Sequence, residues 1–373
     1  MQCCPLSSVK QRITLGAPLP FNVRDTDRTL LLARGQVITT QEQMDALYER
    51  GALVDTEELK PRAANAQDCP SELLPLLWEQ TFTRISSVLK NPAHGDFIAA
   101  LEQASAPVSA LIERDPDLAI FQVVRQEATS GQYGVSHSMH AAIAARLAAR
   151  RLGWDPAKAH KTYCAALTMN LAMLEMQGRL ALQSTPPTPL QREAIHSHPQ
   201  RSAEMLQAAG ITDPEWLDAV LHHHESPDGK GYPAQITDIS DIGALVRRAD
   251  IYTAKLSART TRAPMKAHDA ARVMFVQDQG HPMVAAIIKE FGVYPPGCCV
   301  RLASGEVGLV VKRGASTNTP MVAVVLNKQG DQMMEPVRRD TGMPGYAIVD
   351  VLDEKAMKVR VSRERLAALG AGA

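Results

Sequence analysis

HHESPDGKGYP, residues 223–233, is the stretch on which the reading of this chain turns. Two adjacent histidines and a carboxylate precede a glycine-rich turn that closes on Tyr232-Pro233. Upstream, Asp213 can cap a helix whose first turn suits Pro214, and Trp216, Leu217, Val220 and Leu221 give that helix an apolar stripe. At about 100° per residue the stripe also takes in His223 and His224, while His222 falls on the polar side with Glu215 and Asp218. The pattern predicts two imidazoles directed inward. A lone histidine on an apolar face is usually a hydrogen-bonded core residue. An adjacent pair followed by Asp228-Gly229, Gly231 and Tyr232-Pro233 is a far less ordinary combination.

The length, 373 residues, leaves room for two or three domains with a sizeable core. Forty basic side chains balance forty acidic ones, so no long-range positive field draws in nucleic acid or an anionic membrane, and a nucleotide ligand requires a local basic pocket. The cysteines, Cys3, Cys4, Cys69, Cys164, Cys298 and Cys299, form no CxxC framework and are expected to be reduced thiols. Neither a signal-like apolar core at the start nor an apolar run of about 18 residues is present, so the expected location is the cytoplasm.

Along the chain, residues 1–65 read as a small α/β module. Short apolar runs at Arg12 to Leu15 and Thr29 to Leu32 are separated by turn signals at Gly16, Pro18 and Asp25 to Asp27, and a helix from about Thr40 to Arg50 ends at Gly51. The first boundary is placed in the polar linker ending at Pro70. Residues 71–294 are helical in pattern, with Ala-rich helices around Ala141 to Ala149 and Ala165 to Met176 and a capping box at Thr188 to Gln191. Residues 295–373 switch to β-branched runs, with strands expected at Val300 to Leu302, Val307 to Val311, Met321 to Leu326 and Ala347 to Leu352, and a tail beyond Arg363. The expected class is mainly α, with a small N-terminal α/β module and a β-rich C-terminal appendage.

The pattern HHE-x-x-DG-x-GYP resembles the signature of HD-GYP domains, the metal-dependent HD phosphohydrolases that hydrolyse cyclic di-GMP, and its fixed positions are all present as His223, His224, Glu225, Asp228, Gly229, Gly231, Tyr232 and Pro233. The resemblance implies a helical bundle and a metal site. It implies ligands at His137, in an HS-x-x-x-A element, at His198, in an HP element within a helix broken at Pro199, and at His223, His224 and Asp250. It also implies phosphate contacts from Arg259 and Arg262, in S-x-R-x-x-R, whereas Lys230 is expected to be exposed. His140, His160, His196, His222, His268 and His281 receive no role, and surface or cap positions are the default. The methionines from Met169 to Met176 read as core packing.

The departure lies where the family carries its HD pair and lysine. Met169, Asn170 and Met173 stand there, and Tyr133 stands where three-metal members have a glutamate. A thioether is a poor ligand for hard ions, and a neutral amide cannot balance two cations as a carboxylate does. His198, His223 and His224 suffice for one Fe, Mn or Zn ion, or they hydrogen-bond one another and Asn170 in a repurposed core. Two functions follow. One is a catalytically impaired effector that binds cyclic di-GMP or a partner such as a GGDEF-domain cyclase, as monomer or homodimer. The other is a phosphodiesterase with a reduced metal site. A scaffold without nucleotide is a third possibility.

Overall fold

The computed structural model of the chain describes residues 3–13, 15, 19, 21–33, 36–55, 69, 74–126, 132–353, 366 and 370. The expected linker, the turn signals Gly16 and Pro18 and nearly all of the tail lie outside these residues. Two compact units are present, Met1–Ala64 and Asn65–Ala373.

In the first unit, strands β1 (Cys3–Pro5), β2 (Val23–Arg24), β3 (Leu30–Leu32) and β4 (Leu53–Asp55) form an antiparallel sheet in the order β1-β4-β2-β3. Helix α1 (Gln41–Glu49) starts at a capping box between Thr40 and Gln43 and stops before Gly51, whose φ of +73° suits glycine. Leu6, Phe21, Val23, Met44 and Val54 close a small core. Of the short apolar run Arg12 to Leu15, Arg12 closes a 3-10 helix, Leu6–Arg12, and Thr14 lies outside the described residues.

The second unit opens with α2 (Leu74–Lys90), α3 (Phe97–Arg114) and α4 (Pro116–Arg125), which lead to α5 (Tyr133–Arg151). Helix α5 is buried along nearly its whole length, and its alanines let neighbours approach closely. Around it lie α6 (Pro156–Thr168), α7 (Leu174–Leu182), α10 (Asp241–Leu256) and α12 (Pro282–Phe291). The remaining helices are α8 (Pro189–Ala208), α9 (Pro214–His222) and α11 (Ala267–Gln277). The helix expected over Ala165 to Met176 is two. It ends at Thr168, turns at Met169-Asn170, and resumes after a 3-10 segment, Leu171–Met173. The helix expected to break at Pro199 does not, since α8 runs through it.

A second sheet follows, β5 (Cys299–Leu302), β6 (Val307–Lys312), β7 (Met321–Leu326), β8 (Gln332–Asp340) and β9 (Ile348–Leu352), antiparallel in the order β8-β7-β6-β5-β9. Val300, Val310, Val322 and Val324 join the helical core. Arg313 ties this sheet to the helices through Asp117 of α4 and Glu290 of α12, the latter at 2.7 Å. Strand β8 had no sequence signal. Its QMMEPVRRD is charged and holds Pro336, which an edge position tolerates.

Gly134 sets how closely α5 meets α7, because a Cβ there would lie 2.1 Å from the Leu174 carbonyl oxygen. Gly134→Ala is therefore expected to cost about 3 kcal/mol. Thr188→Ala, which removes the α8 capping box, should cost only about 1 kcal/mol. Denaturant titration followed by circular dichroism measures both, and equal losses would contradict the packing argument.

Candidate metal and ligand site

Helices α8 and α9 deliver the three central histidines. Asp213 caps α9 with bonds to the Glu215 and Trp216 amides, and the apolar stripe seats His223 with no solvent exposure and His224 half-buried, while His222 turns away to Asp218 at 2.7 Å. Inside α8, Pro199 has no N–H to donate to the Ile195 carbonyl. His198 Nδ1 donates to that oxygen instead, at 2.6 Å. His223 Nδ1 likewise donates to the Val220 carbonyl at 2.7 Å, where α9 ends.

These two bonds decide the tautomers. With the proton on Nδ1, each neutral ring presents a lone pair at Nε2, and the two Nε2 atoms face one another at 3.2 Å. Burial pushes His198 down to about 3 and lowers His223 and His224 as well, so the rings are neutral at neutral pH. Two buried acceptors in contact lack a proton between them. One ion bound by both at about 2.0–2.1 Å would place them about 3.0–3.4 Å apart. One ligand atom from each of His198, His223 and His224 lies within 4.8 Å of the others, so the cluster can hold a metal ion.

The loop behind them is built around Glu225, whose Oε1 accepts from the Ala234 and Gln235 amides at 2.6 and 2.9 Å. A side chain at Gly231 would put a Cβ 2.4 Å from Glu225 Cα. Asp228 closes the turn, accepting from Ser226 Oγ and from the Lys230 amide at 3.2 Å, with Gly229 at φ +69° and a cis Tyr232-Pro233 bond. The loop thereby stacks Tyr232 on His224, ring centres 4.6 Å apart. Lys230 is exposed, as expected.

His137 and Asp250 are brought to the same cavity but bond each other, His137 Nε2 donating to Asp250 Oδ1 at 2.6 Å. Burial alone would raise the Asp250 carboxyl, yet the hydrogen bond and charge of His137 hold it well below the usual range. Met169 is fully buried, and Asn170 Nδ2 is buried without a partner among the described residues, so the expected alternative of Asn170 donating to the histidines is not formed. The residues present therefore fit one ion at three imidazoles. They do not fit a cluster needing His137, Asp250 and a bridging carboxylate at once.

Arg259 and Arg262 part company. Arg259 lines the cavity and donates to Tyr133 Oη at 3.0 and 3.2 Å, while Tyr133 stacks on His137 at 5.7 Å between ring centres. Arg262 donates to the Ala254 carbonyl near the end of α10. The Tyr133 contact was not read from the sequence, where Tyr133 registered only as a missing carboxylate. His140, assigned to the surface by default, is buried in α5 and pushed down to about 3 by that burial. His281 does cap a helix, accepting from the Met283 amide. The cavity, about 220 Å³, is also lined by Gln177, whose Oε1 is buried and unpartnered among the described residues.

The HD domain family profile matches residues 119–281. A cyclic di-GMP phosphodiesterase of Pseudomonas aeruginosa, PA4108, is 30% identical over 247 residues, 64% of this chain and 58% of that protein. A cyclic di-GMP phosphodiesterase of Vibrio cholerae is 40% identical over 76 residues, 20% of this chain and 15% of that protein. The chain thus spans less than two thirds of the length of either relative. Among solved structures, Bd1817, an HDG"Y"P protein from Bdellovibrio bacteriovorus, superposes with a TM-score of 0.49 at 15% identity, covering 77% of this chain and 97% of that one. The HD domain of the L. monocytogenes phosphodiesterase PgpH in complex with cyclic-di-AMP gives 0.31 at 16% identity, over 46% and 93%. No helix among the described residues is long and apolar enough to cross a membrane. The match spans the helices that carry the histidines and takes in the signature loop, so residues 119–281 form an HD domain that carries the HHE-x-x-DG-x-GYP sequence, with Met169 and Asn170 at the HD positions.

Proposed function

We propose that the protein acts in cyclic di-GMP signalling as a nucleotide-binding effector with impaired catalysis, and that His198, His223 and His224 hold a single Fe, Mn or Zn ion. The observation that carries this reading is the 2.6 Å bond between His137 and Asp250, which ties up two of the ligands a multi-metal hydrolase needs. Binding has support of its own. Arg259 offers a cation to a phosphate, and Asn170 Nδ2 and Gln177 Oε1 offer a donor and an acceptor to a polar ligand. At about 220 Å³ the cavity admits part of a cyclic dinucleotide, with the rest on the surface. The exposed turn at Asp228 to Lys230 suits a protein contact, for which a GGDEF-domain cyclase is the partner we favour. A homodimer belongs to the same proposal.

The second reading is a phosphodiesterase with a reduced metal site, favoured by the converging Nε2 atoms of His198 and His223. When bound, a transition ion there would supply Lewis acidity toward a phosphoryl oxygen. The chain's own residues would bind and orient the ligand: Arg259 at a phosphate, Tyr232 and Tyr133 as walls, and His137 holding Asp250.

Protein purified without a polyhistidine tag is expected to carry about one transition ion per chain, and His223→Ala to reduce this to near zero. His198 takes up a proton only toward about pH 3, so metal should be retained as pH falls through 6.5 and be lost in more acidic solution. Elemental analysis across pH decides this, and well under one ion per chain at pH 7 counts against the site.

Incubation with cyclic di-GMP and Mn²⁺ or Fe²⁺, with chromatography of pGpG and GMP, is expected to show binding without products. Arg259→Ala should weaken binding about tenfold or more, and Arg262→Ala should leave it nearly unchanged. Met169→His with Asn170→Asp is expected to raise hydrolysis by roughly 10³ or more if the lost ligands limit it. Products from the natural sequence that vanish in His223→Ala, His224→Ala would establish the second reading instead.

A further inference from the structure

Helix α6 carries a second convergence of ligand-type side chains, on residues given no role by the signature. His160 and Cys164 are one turn apart and so share a face, and Glu102 of α3 meets them there. His160 Nε2 lies 2.8 Å from Glu102 Oε1 and 3.6 Å from Cys164 Sγ, and one ligand atom from each residue lies within 4.8 Å of the others. The sulfur end is buried, His160 is half-buried and Glu102 is exposed, so the group is closed on the protein side and open to solvent on the other.

A tetrahedral ion with bonds of about 2.0–2.3 Å to nitrogen, oxygen and sulfur sets its ligand atoms about 3.3–3.7 Å apart. The nitrogen–sulfur separation already has that value. The nitrogen–oxygen separation must lengthen by about half an ångström, which an exposed glutamate can supply.

Charge and protons also fit. The Glu102 carboxylate and a Cys164 thiolate together neutralise a divalent ion. The nearby guanidinium of Arg146 pairs with Glu113 at 3.3 Å, a carboxylate it shares with Arg150 at 3.1 Å, and its NH1 donates to Ser109 Oγ at 2.9 Å. That same NH1 approaches His160 Nδ1 at 3.4 Å, the longer of its two contacts, and this is the one given up when Nδ1 carries the proton and Nε2 faces the ion. Burial pushes the Cys164 thiol up, so without metal it stays protonated. On coordination the S–H bond breaks, the sulfur electron pair forms the metal bond, and one proton leaves to solvent.

We propose that Glu102, His160 and Cys164 form a binding site for one borderline divalent ion, Zn²⁺ or its analogue Co²⁺, with a fourth position facing water, pinning α6 to α3. The proposal is independent of the three-histidine site, whose cavity is lined by no cysteine among the described residues.

That difference supplies the test. The full-length, untagged chain is stripped with chelator and titrated with Co²⁺ under reducing conditions. The expected result is a near-ultraviolet thiolate-to-cobalt charge-transfer band that saturates by about two equivalents, since the three-histidine site also takes cobalt, and that is bleached by Zn²⁺. Cys164→Ala should abolish the band, Glu102→Gln and His160→Gln should raise the cobalt concentration needed by about tenfold or more, and His223→Ala should leave the band intact. Circular dichroism checks that each variant is folded, and the exposed Glu102→Gln change serves if the buried cysteine variant is not. No charge-transfer band in the natural sequence, a band that survives in folded Cys164→Ala, or unchanged titration of Glu102→Gln would overturn the assignment.

Discussion

The site depends on a hydrogen bond that α8 cannot make. Proline at 199 removes the donor due to the Ile195 carbonyl, and the preceding histidine fills the gap with its own Nδ1–H at 2.6 Å. The cost of an orphaned carbonyl is thereby converted into an orienting force on the ring. The end of α9 does the same for His223 through Val220. Two backbone irregularities on neighbouring helices thus fix two tautomers and aim two lone pairs at one point, 3.2 Å apart.

The other half of the cavity solves the same burial problem differently. Asp250, on the apolar face of α10, needs a partner, because an unpaired buried carboxylate is costly. His137 supplies it, with its Nε2 acting as the donor.

Much of this was legible because single residue types carry definite constraints. Asp213-Pro214 marks a helix start, Thr188 to Gln191 encodes a capping box, and the 3.6-residue stripe places His223 inward, all as observed, while His222, read to the polar side, is half-buried and bonds Asp218. What escaped depends on tertiary context. The break at Met169-Asn170 has no glycine or proline to announce it. His140 is buried because α5 is surrounded on all sides, which a local pattern cannot report. Strand β8 is charged and proline-bearing because it lies at the sheet edge, a property of topology and not of its own seven or so neighbours in sequence. Arg259 and Arg262 look equivalent in the chain, yet the short turn between them sends only the first to the cavity.

Tyr133 joins these points into a functional argument. A carboxylate at this position would ion-pair with Arg259 and cancel its charge. A phenol accepts the same guanidinium, at 3.0 and 3.2 Å and with the cation over its ring, without cancelling anything. Arg259 is thus held in place with its charge intact, while Asp250 is hydrogen-bonded by His137. Tyrosine at this position thus leaves the guanidinium of Arg259 able to meet an anion in the cavity, which a carboxylate there would have neutralised.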